Sequence, residues 1–216
     1  MDDAADVTTD AHGFPTGFFD RMDPGDDAEF YGPPRLVTHI DDGAIAAVAR
    51  LYDEMGLARG RVLDLMSSWI SHFTSPPAEL VALGMNAAEL AANAMATSWV
   101  RHDLNTDPTL PFDDARFDAV VCCVSVDYLV RPIEVFREVA RVLVPGGPFV
   151  CTFSNRCFPT KAIAGWLAND DRGRVAIVGE YFRRSGGWVE LTAQQRPTPA
   201  WADPLYAVHA RKDPGR

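Results

Sequence analysis

The sequence predicts an α/β protein built on a doubly wound, mostly parallel sheet with helices on both faces. Three observations carry that prediction. Short apolar runs alternate with helix-period stretches along most of the chain, the order that builds parallel strands joined by crossover helices. Four of the runs, at 61–66, 79–85, 117–126 and 147–154, are almost continuously apolar, as strands covered on both faces must be. The last two strand candidates, 188–195 and 203–212, are closer together and less apolar, so they are expected to pair antiparallel at one edge. A chain of 216 residues is long enough for one sizeable core, and no repeat or linker divides it.

The elements follow in order. Residues 1–30 hold nine acids and one base, Arg21, a local charge of −8 out of −10 for the whole chain. Such a segment reads as a solvated, disordered tail, with a single domain over 31–216. Pro33 and Pro34 disfavour helix in FYGPPRLVTHIDD. Ile45, Val48, Ala49, Tyr52 and Met55 then recur at helical spacing, with Asp41 or Asp42 as the cap. RVLDLM (61–66) reads as the first strand. WISHF after it reads as a short helix, capped by Ser67 or Ser68 and closed by Pro76 and Pro77. ELVALGM (79–85), a helix over 86–96, and SWVRHDLN (98–105) continue the alternation, and FDAVVCCVSV (117–126) is the expected central strand. PIEVFREVARVLV carries an apolar stripe of Ile133, Phe136, Val139, Ala140 and Leu143, with Pro132 suited to its first turn. Gly146 and Gly147 turn the chain into the strand at 147–154; helical stretches at 159–169 and 172–184 precede the final strand pair.

Composition narrows the function classes. Acidity concentrated in one segment, with no basic footprint, argues against nucleic-acid binding. No apolar run approaches the roughly 20 residues that span a bilayer, and the opening MDDAADVTTD is not a secretory leader. Cys122, Cys123, Cys151 and Cys157 form no CxxC pair and no zinc-ligand spacing with histidine, so no metal is expected. Free thiols inside apolar runs suit a reducing cytoplasm. No GxSxG elbow marks a serine hydrolase.

Four blocks resemble the class I S-adenosylmethionine-dependent methyltransferase family in its small-molecule branch. VLDL (62–65) resembles the strand of its first motif. LPFDDARFDAVVC (110–122) and EVFREVARVLVPGGPFV (134–150) resemble the later strand, helix and turn, and Asp103 falls at the acid after the third strand. The similarity runs from about Leu36 to the C-terminus. It implies a Rossmann-like, three-layer sandwich whose seven-stranded sheet has one antiparallel edge strand. It also implies S-adenosyl-L-methionine as cofactor, bound beyond the carboxyl ends of the strands at the switch point between the first and fourth.

The first motif departs from the family pattern. Its acid is present as Asp64, but its three glycine positions carry Met66, Ser68 and Ile70, and the ribose-binding acid of the second strand falls at or beside Gly84. Side chains at those positions force the turn onto another path. Hydroxyls of Ser67, Ser68 and Ser71 are expected to replace backbone donors, and Asn86 to reach the ribose. The residues expected around the cofactor are therefore Asp64, Met66, Ser67, Ser68, Asn86, Asp103, Leu104 and Ser125. Asp64 reads equally as a cap for the turn that follows it. For acid–base work the candidates are Asp127, Tyr128 and His72, of which the first two read equally as the start of the next helix. His39 joins them if the N-terminal segment covers the site. Asn155, Arg156 and Cys157 lie at the same rim.

The implied function is in-line methyl transfer to a small molecule, with oligomeric state unspecified. The alternative is a catalytically silent methyltransferase fold that acts as a binding or scaffolding partner. An open cleft over Asp64, Asp103 and Ser125 would favour the enzyme, whereas Met66, Trp69 and Ile70 filling that space would favour the scaffold.

Overall fold

The computed structural model describes residues 8–215. Its sheet has seven strands: β1 (Arg61–Leu65), β2 (Glu79–Gly84), β3 (Ser98–Arg101), β4 (Ala119–Cys123), β5 (Pro148–Phe153), β6 (Trp188–Arg196) and β7 (Leu205–Lys212). Their spatial order is β3-β2-β1-β4-β5-β7-β6. The first five pair in parallel. β7 runs against its neighbours β5 and β6, so the antiparallel pairing lies at one edge as the sequence pattern predicts. The order reverses between β1 and β4, where Asp64 stands opposite Val121. That is the switch point, and ligands bind outside the carboxyl ends of strands there.

Helices cover both faces. α2 (Asp42–Glu54) buries Ala44, Ala47, Val48, Leu51 and Tyr52 in the cluster on one side of the sheet. α4 (Pro132–Val142) and α6 (Asp171–Ser185) close the other side through Ile133, Phe136, Val139, Tyr181 and Phe182. Two short helices, α1 (Asp27–Phe30) and α5 (Ala164–Leu167), stand outside the sheet's crossovers. α3 (Ala87–Ala92) starts where Asn86 Oδ1 accepts from the amides of Ala88 and Glu89, a strong N-cap arrangement. Among the described residues no helix is long and apolar enough to cross a membrane.

Three expectations are corrected. WISHF forms no helix, and residues 66–78 run from β1 to β2 without regular structure. The helix expected over 159–169 shrinks to α5. The acidic segment is not a solvated tail over its described part, 8–30; its expected disorder over 1–7 lies outside the described residues. Phe14, 4% exposed, packs its ring against Phe18, Phe19 and Tyr181 at centroid distances of 4.9, 5.0 and 5.8 Å. Backbone bonds from Ala164 to Asp20 and from Gly165 to Phe18 tie the segment to α5. A charge count hides the three phenylalanines that anchor it, and the acids are partly neutralised on contact. Asp27 pairs with Arg21 at 2.7 Å and with Lys161 at 3.1 Å. Lys161 has no exposed side-chain surface, and an ammonium is buried only where such partners surround it.

Phe14→Ala tests this packing. Emptying the site should lower stability to urea by about 3 kcal/mol. An unchanged unfolding midpoint would mean that the segment does not pack there in solution.

Candidate functional site

A cavity of about 110 Å³ lies at the carboxyl ends of β1, β2 and β4. Its floor is Met66, Ser67 and Ser68 after β1, Gly84 and Met85 at β2, and Ser125 after β4; Asp103 and Leu104, after β3, form one edge. A second lobe of about 50 Å³ adjoins it. The lobes share His39, Met66, Ser67, Ser68, Val124 and Ser125, and the second reaches Asp64 and His72. Segment 31–39 roofs both. Tyr31 and Arg35 line the first lobe and Val37 and Thr38 the second.

Two residues at the floor hold strained backbone. Met66 has φ 55° and Val124 has φ 48°, in the left-handed region that costs a non-glycine residue roughly 1–3 kcal/mol. Val124 is β-branched, for which that region is least favourable. Each is the turn that carries the chain away from a strand end. Met66 thereby takes the conformation usually left to glycine, and the chain after it follows its own path. The Ser67 amide donates to the Leu83 carbonyl at 2.7 Å. The Ser67 carbonyl then lies over β2, where a Cβ on Gly84 would stand only 2.2 Å from it. No side chain fits at position 84.

The serines turn inward. Asp64 accepts from the hydroxyls of Ser67 (2.8 Å) and Ser71 (2.5 Å). Its burial pushes its pKa up to about 6, against those two hydrogen bonds. Ser71 accepts from Asn93 Nδ2, which also donates to the Ser68 carbonyl. Ser68 donates to Glu89 Oε2 at 2.6 Å, and Glu89 Oε1 accepts from the Arg35 amide at 2.6 Å. One polar network therefore replaces the glycine turn and runs from the end of β1 to the roof. The expectation that these hydroxyls stand free for a ligand is corrected, because their protons are spent on carboxylates within the chain.

Asn86 is corrected in the same way. It caps α3 and donates to the carbonyls of Tyr31 and Gly32 at 2.9 and 2.8 Å, so it ties down the roof. Asp103 stands at the cavity edge, but its oxygens accept from the Asn105 amide (2.9 Å) and the Thr106 hydroxyl (2.7 Å). That local turn ends β3 and sets Leu104 against the cavity. Ser125 donates to the carbonyls of Cys123 and Met66, joining the ends of β4 and β1.

Of the acid–base candidates, Tyr128 lines the first lobe. Its hydroxyl accepts from the Phe158 amide at 2.8 Å, and burial raises its pKa far above the ordinary phenol value. Asp127 does not line either lobe. Its Oδ2 is buried without a partner, and burial drives its pKa up to about 7. His72 lines the second lobe, with Nδ1 unpartnered. Burial, aided by nearby His39, holds its pKa down to about 4, so it is neutral at pH 7. Arg156 pairs outward with Asp203 at 2.9 Å. Sequence reasoning missed Arg35, Glu89, Tyr31 and Phe158. Glu89 had a signal, since it lies three residues past a cap asparagine on the cavity side of α3. Arg35 and Tyr31 had none beyond the double proline between them.

The comparisons agree with this geometry. Residues 54–151 match a family model described as a methyltransferase domain. A stretch of 98 residues is 30% identical to the mitochondrial 2-methoxy-6-polyprenyl-1,4-benzoquinol methylase of Danio rerio, over 41% of this chain and 29% of that protein. The chain thus spans under a third of that curated relative. Among solved structures, an S-adenosylmethionine-dependent methyltransferase from Mesorhizobium loti is similar at a TM-score of 0.54 and 18% identity, over 77% of this chain and 98% of that one. The 1,6-didemethyltoxoflavin-N1-methyltransferase of Burkholderia thailandensis, solved with its substrate and S-adenosylhomocysteine, is similar at 0.57 and 17%, over 80% of each chain.

Gly84→Asp should not restore a ribose acid. The new Cβ meets the Ser67 carbonyl, so stability to urea should fall by about 2–3 kcal/mol or more; a stable variant would refute the crossing. Asp127 gives a pH test. A carboxyl whose folded pKa lies above its unfolded value weakens the fold as pH rises between the two, here from about 4 to about 7. Asp127→Asn should remove that decline and raise stability near pH 8 by up to about 4 kcal/mol, while the smaller Asp64 slope between about 4 and 6 remains. Urea unfolding of both proteins across that range decides it.

Proposed function

We propose, for a chain whose residues 54–151 match a family model described as a methyltransferase domain, that it transfers a methyl group from S-adenosyl-L-methionine to a small molecule. The observation that carries this reading is the two-lobed cavity at the switch point, floored by the strained turns at Met66 and Val124. Strain of that kind persists where a site needs it. Met66, Trp69 and Ile70 line the cavity instead of filling it.

An adenosyl group fits the cavity in its place over β1, β2 and β4 and in its Asp103–Leu104 edge. The end of β2 offers the ribose no acid, and the carboxylate on that wall is Glu89. The cofactor brings, when bound, a methyl group activated by positively charged sulfur. The chain's residues bind, orient and exclude water. Met66, Ser67 and Ser125 form the floor beneath both lobes, and Tyr31 and Tyr128 wall the first. Holding donor and acceptor in line is worth several kcal/mol. Where the acceptor must lose a proton, the candidate base is His72, which lines the second lobe. The second reading is a silent binding protein, favoured by the Ser67 crossing over Gly84.

Calorimetric titration separates the two. S-adenosylmethionine and S-adenosylhomocysteine should bind at micromolar strength. Asp103→Ala, which loosens the turn at the adenine edge, should weaken binding about tenfold. Absence of heat from either ligand at several temperatures, with folded protein, would overturn the methyltransferase reading in favour of the silent one.

A further inference from the structure

Four side chains of the carboxylate and guanidinium classes line the first lobe: Asp27, Arg35, Glu89 and Asp103. The three carboxylates have both oxygens engaged. Asp27 is held by Arg21, Lys161 and Asn105. Glu89 is held by Ser68 and the Arg35 amide, and Asp103 by its own turn. Arg35 is the exception. Its guanidinium makes one hydrogen bond, from Nη2 to the Phe30 carbonyl at 2.8 Å, and among the described residues no carboxylate oxygen lies within 4.0 Å of it.

The guanidinium is nevertheless fixed in place. Its central carbon sits 4.6 Å from the Phe30 ring centroid and 5.7 Å from that of Phe158. Phe158 in turn packs against Tyr128 at 6.0 Å and His39 at 5.2 Å. A stacked guanidinium has already lost most of its rotamer freedom, and its remaining donors form a planar fork that matches a carboxylate. A half-buried cation with no counter-charge among the described residues is a site for an anion. The wall beside it is flat and aromatic.

The position of this wall decides whose anion it is. Tyr128 follows β4 and Phe158 follows β5, across the switch point from the Asp103–Gly84 side that takes the adenosyl group in the reading above, on which this inference rests. We propose that the methyl acceptor is a small, flat molecule bearing a carboxylate, with the carboxylate on Arg35 and the ring plane against Phe158.

Benzoate and benzamide test this as a pair, since they share a ring and differ in charge. Affinities would be read by NMR titration of the full chain, with and without saturating S-adenosylhomocysteine. Wild type should prefer benzoate by at least about tenfold. Arg35→Gln should abolish the preference, and Arg35→Lys should recover only part of it, with unfolding midpoints and S-adenosylhomocysteine affinity unchanged in both. Equal affinities for the two probes in wild type, or a preference that survives Arg35→Gln, would overturn the proposal. Loss of S-adenosylhomocysteine affinity in Arg35→Gln would overturn it too, by assigning Arg35 to the cofactor's own carboxylate. The probe pair is read without the cofactor as well, so a cofactor that fails to bind counts against the methyltransferase reading alone.

Discussion

The Ser67 amide bonds to the Leu83 carbonyl at 2.7 Å, and the Ser67 carbonyl then occupies the space that any side chain on residue 84 would need. This crossing of one strand end over another sets the rest of the site. It requires the left-handed turn at Met66. It carries the chain laterally, so the residues after β1 have no helix to enter and present no helix N-terminus to a ligand. It excludes an acid from the end of β2. Asp64, buried beneath the turn, has its charge supported by the hydroxyls of Ser67 and Ser71.

The same network couples floor to roof. Ser68 reaches Glu89, Glu89 reaches the Arg35 amide, and Asn86 reaches the carbonyls of Tyr31 and Gly32. These are hydrogen bonds, each worth about 1 kcal/mol net, and Leu36 and Val37 beside them stay exposed. The attachment at 21–27 is of another kind. Asp27 gathers Arg21, Lys161 and Asn105, and Asn105 in turn donates to the Tyr128 carbonyl and accepts from the Val130 amide. Removing one partner from such a buried set strands the others, which costs several kcal/mol. The roof is therefore anchored at 21–27 by a buried charged set and tied over the cavity by single hydrogen bonds.

Much of the fold was legible from local pattern. The apolar runs became β1, β2, β4 and β5, and the stripe of Ile133, Phe136 and Val139 became the buried face of α4. Where the reading failed, a distant contact overrode a local preference. WISHF has serines before it and prolines after it that suit a short helix, but Ser71 bonds to Asp64 and His72 lines the second lobe. Nine acids outvote four phenylalanines in any count by composition, yet Phe14 and Phe19 have Tyr181 to pack on, and Phe18 packs on both. At the site, Asp64, Met66, Asp103, Leu104 and Ser125 lie at or just past strand ends. Asn86 and the serines lie beside them, but their donors are taken by Asp64, by Glu89 and by carbonyls of the roof.

The sequence by itself determined the sheet, the switch point and the strand ends that border the cavity. Those depend on the period of apolar residues, and that period is written within a few residues of each position. The tertiary structure alone decided what stands at those ends: the carbonyl over Gly84, the lysine buried between acids, and the guanidinium of Arg35 with no counter-charge among the described residues. The first two are meetings of segments well separated in the chain. Whether a polar group there is spent or free depends on which partners the packing brings within about 3 Å of it, and no local pattern records that distance.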